Sequence, residues 1–568
     1  MKKIKLFIPL LTLTLFSCSN YLDVNTDPSH LPFEKASPAK LLPGAQVGSY
    51  AVQATSLNQL GNVYSNAWGA NVQQYSGGFT KEMQLIIDNS FYNTIWDNLY
   101  LNVNNFQQII NYPNTDHSND NFVIAAKVCK AYYMQYIVDL YGDAPYTDAF
   151  KGLANRTPKY NDDQFIYRQL IGELDDARAL YAQANTNASD ISTYDVMLHG
   201  NMVGWMQFAN TIELRMLNRM SNSTGAVGAY RDQRLGYLVS NTNANTYSDY
   251  GFITADVTIN PGYSSGNDLQ LNPFYSSFIA SAAGTLTQNY SFIAATGHYY
   301  KALAPFSAYP TGSSHEIIAG SGINYSGVSD PRLLRIFRKG SGQADFRAVT
   351  QGSDVVDIFA PGKASGIPGR VGYGVYNPNN QVPSVASPLS CSGVDGYVMT
   401  LAEADFLQAE ISLSHPGLGI DGAGKFNDGI TQAMNRSGAK VVSGNTAAIT
   451  PSQVTSYLSP ISGINSKPYF GWTGTDNQKL HAVLYQKWIA LIGLNGIETY
   501  LDNTRTGYPL TPLATTATQT RRPRRLIYPI SEYVANSANV PDITPANVFA
   551  TTDPSQPFWL LGDPALGN

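Results

Sequence analysis

The chain has 568 residues, longer than one ordinary hydrophobic core supports, so several packed layers are expected. Only 14% of its residues are charged, against roughly 25% in an average soluble domain, and the net charge is −5 with a pI near 5.8. That balance argues against a nucleic-acid partner and leaves the polar work to amides, hydroxyls and 37 tyrosines, a surface suited to neutral hydrogen-bonding ligands.

Lys2, Lys3 and Lys5 open the chain, and an apolar run from Leu6 to Phe16 follows. The run is too short for a membrane-spanning helix, which takes about 20 residues. Leu15-Phe16-Ser17-Cys18 resembles the bacterial lipobox, so residues 1–17 are expected to be a cleaved signal and Cys18 the lipidated mature N-terminus. Residues 18–38, polar and Pro-rich, then read as a tether.

Residues 39–222 read as an N-terminal helical scaffold. From Phe91 to Ile110, Ile95, Leu99, Val103 and Phe106 recur at spacings of three or four. A second helix is predicted from Phe122 to Tyr141, stopped by Gly142 with Pro145 just beyond. A third stripe carries Ile166, Leu170, Leu174, Ala177 and Tyr181. A fourth carries Trp205, Phe208, Ala209, Ile212 and Met216, with Arg215 and Arg219 one turn apart. Residues 223–394 are rich in Gly, Ser, Asn and Tyr, and Pro261, Pro273, Pro305, Pro310 and Pro331 punctuate them. They read as a loop-rich insertion with short helices and a few short strands. Helical periodicity returns within 395–568, at 396–413, 426–436 and 479–494. The fold class expected is therefore mostly α, a tetratricopeptide-like helix-pair scaffold without a strict 34-residue period.

Catalytic signatures are missing from the sequence. Glycoside hydrolysis needs two acids facing across a cleft. The candidates, Glu403 with Asp405 and Glu410, and Asp175 with Asp176, sit on amphipathic helices where acids ordinarily form a solvated face or local pairs. The seven histidines are scattered and no zinc, P-loop, GxSxG or dinucleotide spacing occurs, so no metal or cofactor is expected. Cys129 lies in a helical pattern and reads as a buried free thiol, and its spacing from Cys391 demands no disulfide. Arg521-Arg522-Pro523-Arg524-Arg525 reads as a structural or partner-facing patch. Binding has better candidates. Trp68, Asn71, Gln74 and Tyr75 crowd one stretch with Gly69, Gly77 and Gly78, where an indole beside amides suits stacking on a sugar ring, unless Trp68 packs inward. His298-Tyr299-Tyr300 with Phe306, and Trp472 between glycines, are the other clusters. Trp96, Trp205 and Trp488 fall on helical stripes and read as core.

Several segments resemble the SusD/RagB family of outer-membrane lipoproteins, in order and over nearly the whole chain. They include Tyr21 to Pro28, then Trp96, Tyr100 and Asn105, and Asp330-Pro331-Arg332. The most specific is Asp139-Leu140-Tyr141-Gly142-Asp143-Ala144-Pro145-Tyr146, which is similar to the family hallmark D-x-Y-G-D-x-P-Y and is read as part of the scaffold. The last is Arg525-Leu526-Ile527-Tyr528-Pro529 with Glu532. The resemblance implies four tetratricopeptide-like helix pairs supporting a loop-rich ligand face, with contacts often placed in the insertion. It also implies an outer-membrane position as a lid over a SusC-like TonB-dependent transporter, capturing oligosaccharides or, in some branches, peptides. Ser19 to Leu22 stand where acidic residues often direct outward display. The reading is a non-enzymatic, lipid-anchored glycan-binding protein facing the cell exterior. Its alternatives are a peptide-binding protein of the same fold and a surface glycoside hydrolase.

Overall fold

The computed structural model describes residues 36–70, 78–239, 249–309, 312–340, 345–353, 368–372, 375, 392–438 and 448–560. The expected signal, Cys18, most of the tether, and Asn71, Gln74, Tyr75 and Cys391 lie outside the described residues.

Consecutive helices pack as pairs. The Asn93–Ile110 helix buries Ile95, Trp96, Leu99, Val103, Phe106 and Ile109, the stripe its sequence predicts, against the Asp120–Tyr141 helix. The latter is buried on every side from Val128 to Tyr141, which makes it the central helix of the scaffold. It ends at Gly142 with φ +74° and ψ −127°, a conformation that a Cβ would strain. There the Arg525 guanidinium donates to the Tyr141 carbonyl and Tyr528 Oη donates to the Asp143 carbonyl at 2.7 Å. The hallmark segment is thus a scaffold joint. Its Ala144–Pro145 strand pairs antiparallel with Tyr160–Asn161.

The Asp163–Ala182 helix, N-capped by Asp162, packs against Met202–Arg219, N-capped by Asn201. Two further pairs close the C-terminal half: Leu401–Ser414 with Gly422–Gly438, and Asp476–Leu491 with Gly496–Thr506. Residues 396–399, expected to be helical, form instead the strand Gly396–Met399, which pairs with Val257–Ile259. The span expected to be loop-rich also contains a 15-residue helix, Gly225–Val239. Arg234 holds it to the scaffold through Glu213 (2.6 Å) and Asp175 (2.7 Å), although it contains three glycines. All paired strands among the described residues are two to four residues long and form two-stranded antiparallel ladders, so the fold is mostly α.

The first described helical run meets the C-terminal region. Helix runs from Pro38 to Tyr64 through a π-helical stretch at Gln53–Leu57. Asn58 Nδ2 donates to the Gly493 carbonyl at 2.9 Å, and the Gly493 N–H donates to Asn62 Oδ1 at 3.0 Å. A Cβ on Gly61 would lie 2.1 Å from the backbone of Gly496, so the approach of these two helices requires glycine there.

The centre of the scaffold is ionic. Arg215, Arg219, Lys487 and Arg505 are at most 2% exposed, and they meet Asp139, Glu403, Glu410, Glu498 and Asp502. Glu403, Asp405 and Glu410 are therefore buried rather than on a solvated face. Burial and neighbouring Glu498 hold the Glu403 carboxyl well above the usual carboxylate range. Burial also pushes Glu498 upward, but Arg215, Arg219 and Lys487 outweigh it and keep that carboxyl ionised. Asp175 pairs with Arg178 and Arg234, and Asp176 with Lys127. Cys129 is buried, with Sγ 3.9 Å from Met197 Sδ, and burial raises its thiol well above the usual value. Among the described residues no helix is long and apolar enough to cross a membrane.

Candidate functional site

The Gly496–Thr506 helix stops at Gly507, whose φ of +77° places it in the left-handed region and whose N–H returns to the Asn503 carbonyl at 2.8 Å. Pro509 and Pro512 then prevent the helix from resuming. Asn503 ties the loop down. Its Nδ2 donates to the carbonyls of Pro509 (2.9 Å) and Gly507 (3.3 Å), and its Oδ1 accepts from Arg522 at 3.4 Å. Arg522 closes the other side by donating to the carbonyls of Pro512 (3.0 Å) and Thr511 (3.1 Å).

This closed loop forms most of a pocket of about 340 Å³. Leu510, Pro512 and Leu513 supply aliphatic walls, joined by Ile318 from the insertion. Ile318 lies on a small hairpin in which Ile317 N–H donates to the Ile323 carbonyl at 2.9 Å. The Glu316 carboxylate gathers the tip by accepting from Gly320 (2.9 Å) and Gly322 (3.1 Å). Arg521, Arg522 and Arg524 add three guanidiniums, and no acid is among the described lining residues. Thr511 is buried at the wall, and its Oγ1 has no hydrogen-bond partner within the protein. A second depression, of about 430 Å³, lies on the helical scaffold and takes no lining residue from the insertion.

Behind the pocket an aromatic array runs through the insertion and into the scaffold. Phe306, which is exposed, stacks on His315 with centroids 4.2 Å apart and planes 2° from parallel. Tyr309 packs edge-on against both rings, and Tyr325 follows. Tyr325 Oη lies 2.7 Å from His298 Nδ1, and His298 lies against Trp488. Burial, then the charges of Arg522, Lys301 and His481, lower the His298 pKa to about 3. His481 is lowered to about 4 by burial. Its Nδ1 faces the Tyr469 carbonyl and its Nε2 accepts from Leu510 N–H at 3.3 Å, which assigns the neutral Nδ1–H tautomer. Both histidines are therefore neutral near pH 7, and the positive charge at the pocket comes from arginine alone.

The residues picked from the sequence are placed unevenly. Trp68 is 1% exposed: the Trp68–Ala70 strand pairs with Ile293–Ala295, and the indole packs edge-on against Phe278. A stacking platform needs a free ring face, so the inward reading of Trp68 is the one its placement matches. Tyr299 is likewise buried, between Phe337 and Phe346, with its hydroxyl donating to the Leu333 carbonyl. Tyr300 stacks on Phe346 and is 9% exposed. Trp472 is half-buried against Phe426, with Lys479 Nζ 5.8 Å above its ring. Trp96, Trp205 and Trp488 are buried, as expected of core residues. None of the aromatic candidates among the described residues lines the 340 Å³ pocket. Its residues were missed because they carry no aromatic signal, and the one visible mark was the arginine cluster. That cluster divides: Arg525 caps the central helix, whereas Arg522 faces the pocket.

Comparison with known proteins adds the following. Residues 31–268 match a SusD-like family model described as starch-binding associating with outer membrane. Residues 278–559 match the model described as Susd and RagB outer membrane lipoprotein. No curated protein sequence matches the chain. Among solved structures, a chitin-binding SusD homolog from Flavobacterium johnsoniae has a TM-score of 0.64 at 20% identity, covering 92% of this chain and 99% of that one. A SusD homolog from Parabacteroides distasonis has a TM-score of 0.66 at 18% identity, covering 93% and 97%. One from Bacteroides fragilis gives 0.62 at 17%, covering 89% and 95%. At such identities the likeness is one of fold.

Proposed function

This chain belongs to the SusD/RagB family of outer-membrane lipoproteins, and from that membership we propose that it captures oligosaccharides at the cell surface and delivers them to a SusC-like TonB-dependent transporter. Its anchor is a lipid on Cys18. The observation that carries the capture role is the 340 Å³ pocket at the junction of insertion and C-terminal region, of the size small-ligand sites take, roughly 300–1,000 Å³. The Thr511 hydroxyl, which has no partner within the protein, offers a hydrogen bond there, and the aliphatic walls accept the apolar face of a sugar ring. The name of the Flavobacterium johnsoniae relative, a chitin-binding protein, supports a glycan as ligand class. Asn71, Gln74, Tyr75 and Trp472 are proposed as further contacts.

The protein is proposed to work by binding alone. The acids a glycosidase would need, Glu403 and Glu410, are held inside the ion network rather than across a cleft. Peptide capture on the same fold is the second reading, favoured by the absence of aromatic rings among the described lining residues. A binding screen of the mature chain without Cys18 against glycan and peptide panels separates the two. Selective glycan binding supports capture, peptide-only binding supports the second reading, and release of new reducing ends from a bound glycan overturns the binding-only assignment.

A further inference from the structure

The pocket's charge carries more than its volume does. The whole chain is acidic, with 36 Lys and Arg against 41 Asp and Glu, yet among the described residues three arginines and no acid line this pocket. Elsewhere in the interior, guanidiniums beside carboxylates pair with them: Arg332 with Asp330 at 2.6 Å, Arg178 with Glu213 at 2.7 Å, Arg505 with Glu410 at 2.6 Å. Arg522, like Arg525, has no carboxylate among its hydrogen-bond partners. Its partners are two backbone carbonyls and one amide oxygen, none of which carries charge. Burial lowers its pKa to about 10, countered in part by Tyr500 and Tyr64. A cation taken from water without a counter-charge is costly, and an arriving anion recovers much of that cost. Thr511, whose carbonyl accepts from Arg522 at 3.1 Å, lines the same pocket and has a buried Oγ1 with no partner within the protein. A planar guanidinium with a hydroxyl in the same pocket suits a carboxylate, which accepts from both.

We propose that the Arg522 pocket receives a carboxylate, borne by a uronate unit of the captured oligosaccharide, whose ring packs on Leu510, Pro512, Leu513 and Ile318. The assignment rests on the glycan-capture reading and adds the charge class of the ligand. Arg522 supplies the charge-assisted hydrogen bond, Thr511 the neutral one, and Arg521 and Arg524 the surrounding positive field.

The test uses the full chain in detergent, titrated with a trimeric uronate and with the same trimer after its carboxyls are reduced to primary alcohols. The acidic form is expected to bind at least about tenfold more tightly, the usual worth of a hydrogen bond to a charged group. Rising ionic strength should weaken the acidic form alone. Arg522→Gln should remove the preference for the acidic form. Should that variant fail to fold, Arg521→Gln and the salt series on the unmodified protein still decide, because a neutral site responds to neither. Equal affinity for both forms, with no salt effect, overturns the carboxylate assignment and leaves glycan capture standing. Binding of peptides and of neither trimer overturns both.

Discussion

Replacing Arg219 with methionine removes a guanidinium that is 2% exposed and donates to Glu498 at 2.7 Å and to Asp139 at 3.2 Å, with Asp502 at 3.5 Å. Methionine refills most of the volume, so the loss is chiefly one of charge. Deleting one member of a buried ionic network leaves the others uncompensated, which costs about 3–5 kcal/mol. The pH dependence follows from Asp139. Burial holds its carboxyl at about 6 despite the pull of Arg219. A carboxyl whose folded pKa lies above its unfolded value of about 3.8 contributes stability that is present below that value and is lost as pH rises through the folded pKa. Without Arg219 the folded pKa moves higher still, so the variant's deficit grows between acid and neutral pH. Urea unfolding followed by tryptophan fluorescence at pH 5 and pH 8 should show a larger deficit at pH 8, by at least about 1 kcal/mol, roughly one pKa unit. Adding Asp139→Asn should recover part of it, since the two residues share one interaction. A deficit under about 1 kcal/mol and equal at both pH values would refute a desolvated network.

His481 gives the opposite pH trend. Its folded pKa of about 4 lies below the unfolded 6.5, so it contributes stability above pH 6.5 that is lost as pH falls through 4, about 3 kcal/mol in all. His481→Gln should flatten thermal stability over that window, and an unchanged acid limb in the melting curves would contradict its burial. Trp68→Ala should cost about 3–5 kcal/mol in urea unfolding, the price of a large core cavity, whereas a platform residue would cost under 1.

Local pattern made the scaffold legible and the site opaque. The Asn93–Ile110 and Asp120–Tyr141 helices are marked by side chains three and four residues apart, which a sequence displays directly. Gly225–Val239 escaped because its glycines dilute the stripe, and what secures it is Arg234 reaching Glu213 and Asp175. Glu403 and Glu410 escaped for a related reason: their partners Arg215 and Arg505 lie far along the chain, so an isolated helix pattern could assign them only to solvent. Trp68 sits among glycines that suggest an open loop, yet a strand more than two hundred residues later covers it. The pocket has the same origin, since Ile318 and the 503–524 segment meet only in the folded protein.

The contact between Gly61 and Gly496 sets an order of assembly. A ribosome delivers residues 58–64 long before residues 493–496, so the first helix waits for nearly the whole chain before Asn58 and Asn62 can bond to the backbone that seats it. Until then Arg215 and Arg219 lack Glu498 and Asp502, their partners from the other half. A fragment ending within the insertion therefore has no finished scaffold to fall back on. Truncation that removes either the 58–62 segment or the 493–496 segment opens this same seam.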